Sequence, residues 1–408
     1  MQKLKSLGPG LLFAAAAVGV SHLVQSTRAG AEYGWGLLWA LILAHVFKYP
    51  FFEFVSRYTA ATGKSALQGY FELHPNWLKA YTLLSLGTMF TIQMAVTIVT
   101  AGIAEYLFGP VWGNHFWMVA ICLLCYAILR IGQFKVLDGI IKVIMVVLVL
   151  STSAAFFQAL YKMPQEIAVD VIFPAESGLL FLIAFMGWLP APLDVSIWQS
   201  LWWIDKSKIQ ELNKLRENTA FDFRLGYWST LIIGVFFLGL GALILHPQGR
   251  SFPTSGVAFA EELMGVYQSQ FGTGAMIIIG FSAFTAMFST TLTTLDASPK
   301  AMAAALDILF PNSKAWWKKQ SFWLGSLCLG TLGIFFFLSS QMGVLITVAT
   351  VISFLTTPFL AFLNFRLIFQ KSFPSQARPS KLLLVLSGFG FIFLIGFSGL
   401  YLWSLIYS

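Results

Sequence analysis

Charge is what this sequence most lacks. Only 10% of its 408 residues are Asp, Glu, Lys or Arg, against 58% hydrophobic, where ordinary soluble domains carry about a quarter charged. Twenty-five basic and 17 acidic side chains cannot cover the surface of a water-soluble chain of this length. The apolar excess runs through the whole sequence, so most of the protein faces lipid. Cysteine is also scarce, and all three (Cys122, Cys125, Cys328) lie inside apolar runs. The C-x-x-C spacing of the first two has no second pair near it, which points to packing and not to a metal or redox centre. No phosphate-binding loop, nucleophile elbow or H-E-x-x-H is present, and enzyme activity therefore has no support. No low-complexity tract or separate soluble domain interrupts the chain, and no small-residue cleavage site follows the first apolar stretch at 7–20.

What is present is a series of long hydrophobic runs. A helix crossing the hydrocarbon core needs about 20 mainly apolar residues, and eleven runs meet that need, at about 9–33, 36–56, 79–108, 115–130, 138–161, 177–202, 227–246, 273–297, 320–339, 342–370 and 381–405. Helices are required because the bilayer offers no water to exposed backbone groups. With the N-terminus in the cytoplasm, Lys3, Lys5, Arg57, Lys64, Lys79, Arg130, Lys135 and the basic residues of 204–224, 300–319 and 366–381 all fall inside, and only Lys162 and Arg250 outside. This positive-inside bias places the chain in a cytoplasmic membrane with its C-terminus outside. It also accounts for the net charge of +8 without a nucleic-acid partner. The charged stretch 204–224 reads as a short cytoplasmic helix, and 257–270 as an amphipathic helix on the outer face.

Runs one and six carry the informative residues. The first holds Gly19-Val20-Ser21-His22 and Gln25-Ser26-Thr27-Arg28 at mid-depth; the sixth holds Met186-Gly187-Trp188-Leu189-Pro190-Ala191-Pro192, then Asp194, Ser196 and Gln199. Two prolines two apart remove amide donors and clash with the preceding turn, so the sixth helix must unwind there. If spans one to five and six to ten form inverted repeats (about 9–161 and 177–370, with an extra helix at 381–405, all in one transmembrane domain 1–408), the two breaks occupy matching positions. Matching breaks are the best sequence pointer to a transporter's central site. Kinks of this kind also occur in helices that carry nothing, but Arg28 and Asp194 accompany these, and ionisable groups at such depth face a cavity or a partner. Arg28 is expected either to pair with Asp194 across the site or, unpaired, to favour an anionic substrate.

Several segments, in order, resemble the NRAMP divalent-metal transporters. Gly8-Pro9 is similar to that family's opening G-P. Gly30-Ala31-Glu32-Tyr33-Gly34 with Leu37-Leu38-Trp39 is similar to G-A-Q-F-G-Y-x-L-L-W. The stretch Arg57-Tyr58-Thr59-Ala60-Ala61-Thr62-Gly63-Lys64 looks like the loop after span two, Phe288-Ser289-Thr290-Thr291-Leu292-Thr293 like G-Q-S-S-T-L-T of span eight, and Thr357-Pro358-Phe359 like L-P-F of span ten. The resemblance implies an all-α membrane protein of about eleven spans, with the 5+5 inverted repeat of amino-acid/sodium symporters and broken helices one and six. It also implies a secondary transporter of a metal cation. The ligand motifs depart from it: Gly19, Val20, Ser21 and His22 stand for D-P-G-N, Leu189-Pro190-Ala191 for M-P-H, and Gln93 and Val96 for the span-three acids. A carboxylate and a soft sulfur, which favour manganese or iron(II), are both missing.

The expected substrate-binding residues are thus Gly19, Ser21, His22, Gln25, Met186, Leu189, Gln93 and Ser289, with Arg28, Glu32, Asp194 and Ser196 in gating or ion coupling. Two roles are open to His22: metal ligand or proton acceptor, or a hydrogen bond to a carbonyl freed by the break. A cation without soft ligands would be held through carbonyls and retained waters, as magnesium is. The alternatives are a small organic or anionic solute on the same fold, and a transport-inactive membrane receptor. Beyond the substrate and the bilayer, neither a resident cofactor nor an obligate protein partner is expected; coupling to protons or to sodium stays open.

Overall fold

The computed structural model describes residues 8–110, 114–131, 134–162, 170–174, 177–208, 211–249, 260–265, 272–338 and 342–407. Within them every regular element is helical. Seven helices are long and apolar enough to cross a membrane, and shorter apolar helical stretches lie at His115–Ile131, Val146–Lys162 and Gly178–Trp188.

The first span is interrupted as its sequence requires. Helix α1 (Pro9–Ala17) starts with proline at its first turn, where no amide is needed. It stops before Gly19, a π-helical turn follows over Val20–Ser26, and α2 (Thr27–Tyr33) completes the span. Helix α3 (Leu38–Thr62) ends on Gly63 in the left-handed conformation. The short α4 (Ala66–Leu73) opens with a capping box between Ser65 and Gln68. Then come α5 (Pro75–Phe108), α6 (Asn114–Ile131) and α7 (Phe134–Lys162).

The second half repeats the plan. Helix α8 (Ser177–Trp188) ends just before Pro190 and Pro192, which cannot supply the next amide donors, and α9 (Asp194–Ser207) resumes the span. Helices α10 (Leu212–Leu240), α11 (Thr273–Leu309), α12 (Gln320–Leu338) and α13 (Met342–Leu367) complete the repeat, and α14 (Lys381–Tyr407) lies beyond it. The charged stretch 204–224 is not a separate helix: its second part is the first three turns of α10, continuous with the apolar run. The expected outer helix at 257–270 lies mostly outside the described residues, of which 260–265 are helical.

Two apolar clusters divide the interior. One joins α5 to α7, α11 and α12; the other joins α1, α3, α8, α9, α10, α13 and α14. Both breaks lie where these clusters meet. Lipid-facing surface is supplied by side chains such as Leu382 and Ile392 on α14, 78% and 70% exposed. Cys122, Cys125 and Cys328 are buried and unbridged, in keeping with a packing role.

Candidate functional site

Ending a helix inside a membrane leaves carbonyls that need donors, and at the first break side chains supply several of them, beside the Gly19 amide, which donates to the Ala17 carbonyl at 2.9 Å. At the end of α1, the Ser21 hydroxyl donates to the Ala17 carbonyl at 2.7 Å. His22 Nδ1 lies 2.8 Å from the same carbonyl and 2.8 Å from Ser21 Oγ. A nitrogen facing a carbonyl must carry the proton, so Nδ1 is assigned as the donor. From α11, Thr290 Oγ1 donates to the Ala15 carbonyl at 3.2 Å. Gly19 makes room for that threonine: a side chain there would begin 2.7 Å from its hydroxyl.

Between the breaks lies a cavity of about 30 Å³, lined by Ala17, Val20 and Ser21 of the first span, Trp188, Ala191, Pro192, Val195 and Trp198 of the sixth, Ile92 and Val96 of α5, and Thr290 and Thr294 of α11. That is room for about two waters. Its polar lining is hydroxyls and the turn backbone. No group of three or more His, Cys, Asp or Glu that could hold a metal exists among the described residues.

Not every expected site residue faces this cavity. Ser21 lines it, and Gly19 packs on Thr290 at its edge. Gln93 reaches it through its neighbours, with Nε2 donating to Thr97 Oγ1 at 3.1 Å and the Thr291 carbonyl at 3.3 Å, and Oε1 accepting from Thr294 at 2.7 Å. His22 turns away. Its ring is fully buried, 6.0 Å from the His45 ring, and lies against Gly234 of α10. Of the two roles open to it, the hydrogen bond to a freed carbonyl is the one this geometry displays. Gln25 and Ser289 are buried outside the lining, and Gln25 Oε1 and Ser289 Oγ find no partner among the described residues. Ser196 donates to the Leu193 carbonyl at 2.7 Å and accepts from Asn364 at 3.1 Å.

The expected Arg28–Asp194 pair does not form. Arg28 bonds Glu32 one turn on, at 2.6 Å, and its guanidinium lies 4.7 Å from the Phe181 ring centre. A partner four residues away on the same helix costs less side-chain ordering than one across the site. Asp194 is 7% exposed and sits in the first turn of α9, where a carboxylate meets the positive end of the helix dipole.

Met186 and Leu189 contribute main-chain atoms. Their carbonyls, with that of Gly187, receive the ammonium of Lys48 from α3 at 2.7, 2.9 and 2.8 Å respectively. Lys48 is absent from the sequence-based candidates. The signal for it was the one that singled out Arg28 and Asp194: an ionisable residue in the middle of an apolar run.

The family model described as natural resistance-associated macrophage protein-like matches residues 10–404. An uncharacterized protein of Pasteurella multocida (strain Pm70), PM0681, is 32% identical over 98% of this chain and 92% of its own length. Among solved structures, a manganese transporter of Eremococcus coleocola superposes with a TM-score of 0.68 at 12% identity, covering 96% of this chain and 84% of that one. The transporter MhsT, in complex with L-phenylalanine, superposes at 0.60 and 16% identity, covering 95% and 97%. At these identities the structural likenesses speak for the fold alone, and it is the expected inverted-repeat transporter fold.

Proposed function

The chain belongs to the Nramp family of membrane transporters, and on that premise we propose that it is a secondary transporter working by alternating access, with its substrate bound between the two helix breaks. The observation that carries this reading is the convergence of α1/α2 and α8/α9, interrupted at matching positions, on a cavity with Ser21, Thr290 and Thr294 in its wall. Broken helices place free backbone dipoles at mid-membrane, where a substrate needs partners that water no longer supplies. In this reading 9–161 and 177–370 are the moving repeats of a single domain. The positive-inside distribution of basic residues supports a cytoplasmic N-terminus and an outer C-terminus.

For the substrate, family membership supports a metal cation, and the Eremococcus coleocola relative is named for manganese. With hydroxyls in place of carboxylate and thioether, such a cation would keep several waters, as magnesium does. A second reading, a small organic or anionic solute, is favoured by Lys48, whose ammonium already lies on the carbonyls of the sixth-span break.

Uptake into proteoliposomes separates the readings. Manganese, magnesium and a panel of small organic acids are offered under imposed proton and sodium gradients. Saturable divalent uptake supports the cation reading; uptake of an organic acid without divalent ions supports the second. No gradient-dependent uptake of any of them would overturn the transporter reading.

A further inference from the structure

Lys48 stands near the middle of α3 with its side chain fully buried. Its Nζ lies 2.7 Å from the Met186 carbonyl, 2.8 Å from that of Gly187 and 2.9 Å from that of Leu189. The ring of Phe354, from α13, is 5.9 Å away on another side. The Met186 carbonyl is free because Pro190, four residues on, carries no N–H, and those of Gly187 and Leu189 are free because the chain leaves the helix after Trp188. Among the described residues no carboxylate comes within ion-pair distance of the ammonium.

The donor count fits. An ammonium has three N–H groups and finds three acceptors here, whereas a neutral amine would aim a lone pair at one of the carbonyls. A fan of carbonyls at the negative end of a half-helix, with an aromatic face beside it, is an environment in which a free cation would be stable at mid-membrane. Gly187 keeps this arrangement compact, since a side chain there would begin 2.6 Å from the Thr350 carbonyl.

We propose that Lys48 is a tethered cation filling a cation site at the end of α8, so that no free cation binds there and the species carried past this break is neutral or anionic. The proposal rests on the reading that the break between α8 and α9 belongs to the substrate site, and it names the charge class of that substrate. Covalent attachment makes the ammonium a permanent occupant, independent of ion concentration. A positively charged substrate approaching the same carbonyls meets a like charge in a low-dielectric setting.

A purely structural clamp would predict only that removing Lys48 destabilises the protein; a filled cation site predicts rescue by ions. The full-length wild type, Lys48→Ala and Lys48→Gln are purified in detergent and melted at constant ionic strength, with choline exchanged for sodium or potassium. The wild-type midpoint should not depend on the cation. Lys48→Ala should melt lower in choline and recover several degrees, saturably, as sodium or potassium takes the vacated carbonyls. Lys48→Gln, which fills the space and donates without charge, should show no recovery.

A folded Lys48→Ala that ignores all three cations would overturn the proposal. Should that variant not fold, calorimetry of the wild type decides: saturable binding of manganese, magnesium or sodium competing with organic-acid uptake overturns it, and organic-acid uptake indifferent to these ions supports it. The underlying site reading fails separately. If Ser21→Leu, which fills the cavity, leaves uptake intact while Lys48→Ala still acquires ion dependence, the cation site stands and the cavity is not the substrate site.

Discussion

Gln93 uses both ends of its amide to hold α5 against α11, reaching Thr97, the Thr291 carbonyl and Thr294. All of these are buried, and Gln93→Leu removes all three bonds, although Thr97 keeps its bond to the main-chain carbonyl of residue 93 and Thr294 its bond to the Thr291 carbonyl. A hydrogen bond is worth about 0.5–1.5 kcal/mol net, and the variant should lose about 1–3 kcal/mol in reversible unfolding in detergent; an unchanged midpoint would show the bonds to be dispensable. At this scale the sequence is unevenly informative. That polar groups at 19–28 and 186–196 mark breaks was legible, because glycine, proline and adjacent hydroxyls have few other uses in an apolar run. Which way each points was not. The π-helical turn at Val20–Ser26 bonds i to i+5 instead of i to i+4, so counting at 3.6 residues per turn misplaces side chains, and His22 ends against α3 and α10 while its neighbour Ser21 reaches the cavity. Lys48 stands out as an ionisable residue in an apolar run, but its partners do not: they are main-chain carbonyls 138 to 141 residues away, and no side-chain pattern announces them.

Helices α1 and α10 meet through backbone. A methyl group on Gly226 would run into the Gly10 carbonyl, and one on Gly10 into the carbonyl of Asp222. The Asp222 carboxylate completes the contact by accepting from the amides of Gly8 at 3.1 Å and Gly10 at 2.8 Å, donors that the start of α1 cannot satisfy internally. Close approach through small residues is how helices associate where lipid removes the hydrophobic driving force. Gly226→Val should therefore destabilise by at least about 1–3 kcal/mol, the usual cost of overpacking. Gly388→Val on α14, with open space around it, should leave the midpoint unchanged or slightly raised, since glycine is a poor helix former. Equal melting of the two variants would refute the contact. Helix existence was readable for a simple reason: a bilayer crossing requires an apolar run of about 20 residues. Length was less so, since α11 continues to Leu309, past the expected end at 297. The junction of 204–224 with α10 was not readable, because a helix leaving the membrane loses its hydropathy without losing its hydrogen bonds.

Across the whole molecule, α2 is tied to α8 by aromatic and cationic contacts and not by a buried ion pair. Tyr33 stacks on Phe181 at 5.7 Å, and Arg28, held by Glu32, lies over the same ring. Contacts of this kind are worth about 0.5–2 kcal/mol each, weak enough to break and reform during a transport cycle. At the other end of the first span, α1 is fixed to α10 by the glycine and Asp222 contacts, so opening there must carry both helices together. The three native cysteines are buried, which provides a quiet background for testing this asymmetry with thiol reagents. If the proposed alternating access operates, Ser21→Cys, in the cavity wall, should react with a membrane-impermeant reagent from either face of oriented vesicles, since the cavity would open to each side in turn. Adding Arg28→Ala should raise labelling from the α2/α8 side several-fold and lower it from the opposite side, since weakening one closure shifts the population toward that open state. Ala44→Cys, fully buried in α3, should stay unreactive from both faces and controls for general loosening. Labelling of Ser21→Cys from one face only, unchanged by Arg28→Ala, would mean that the cavity never changes sides, and the transporter reading would give way to that of a membrane receptor.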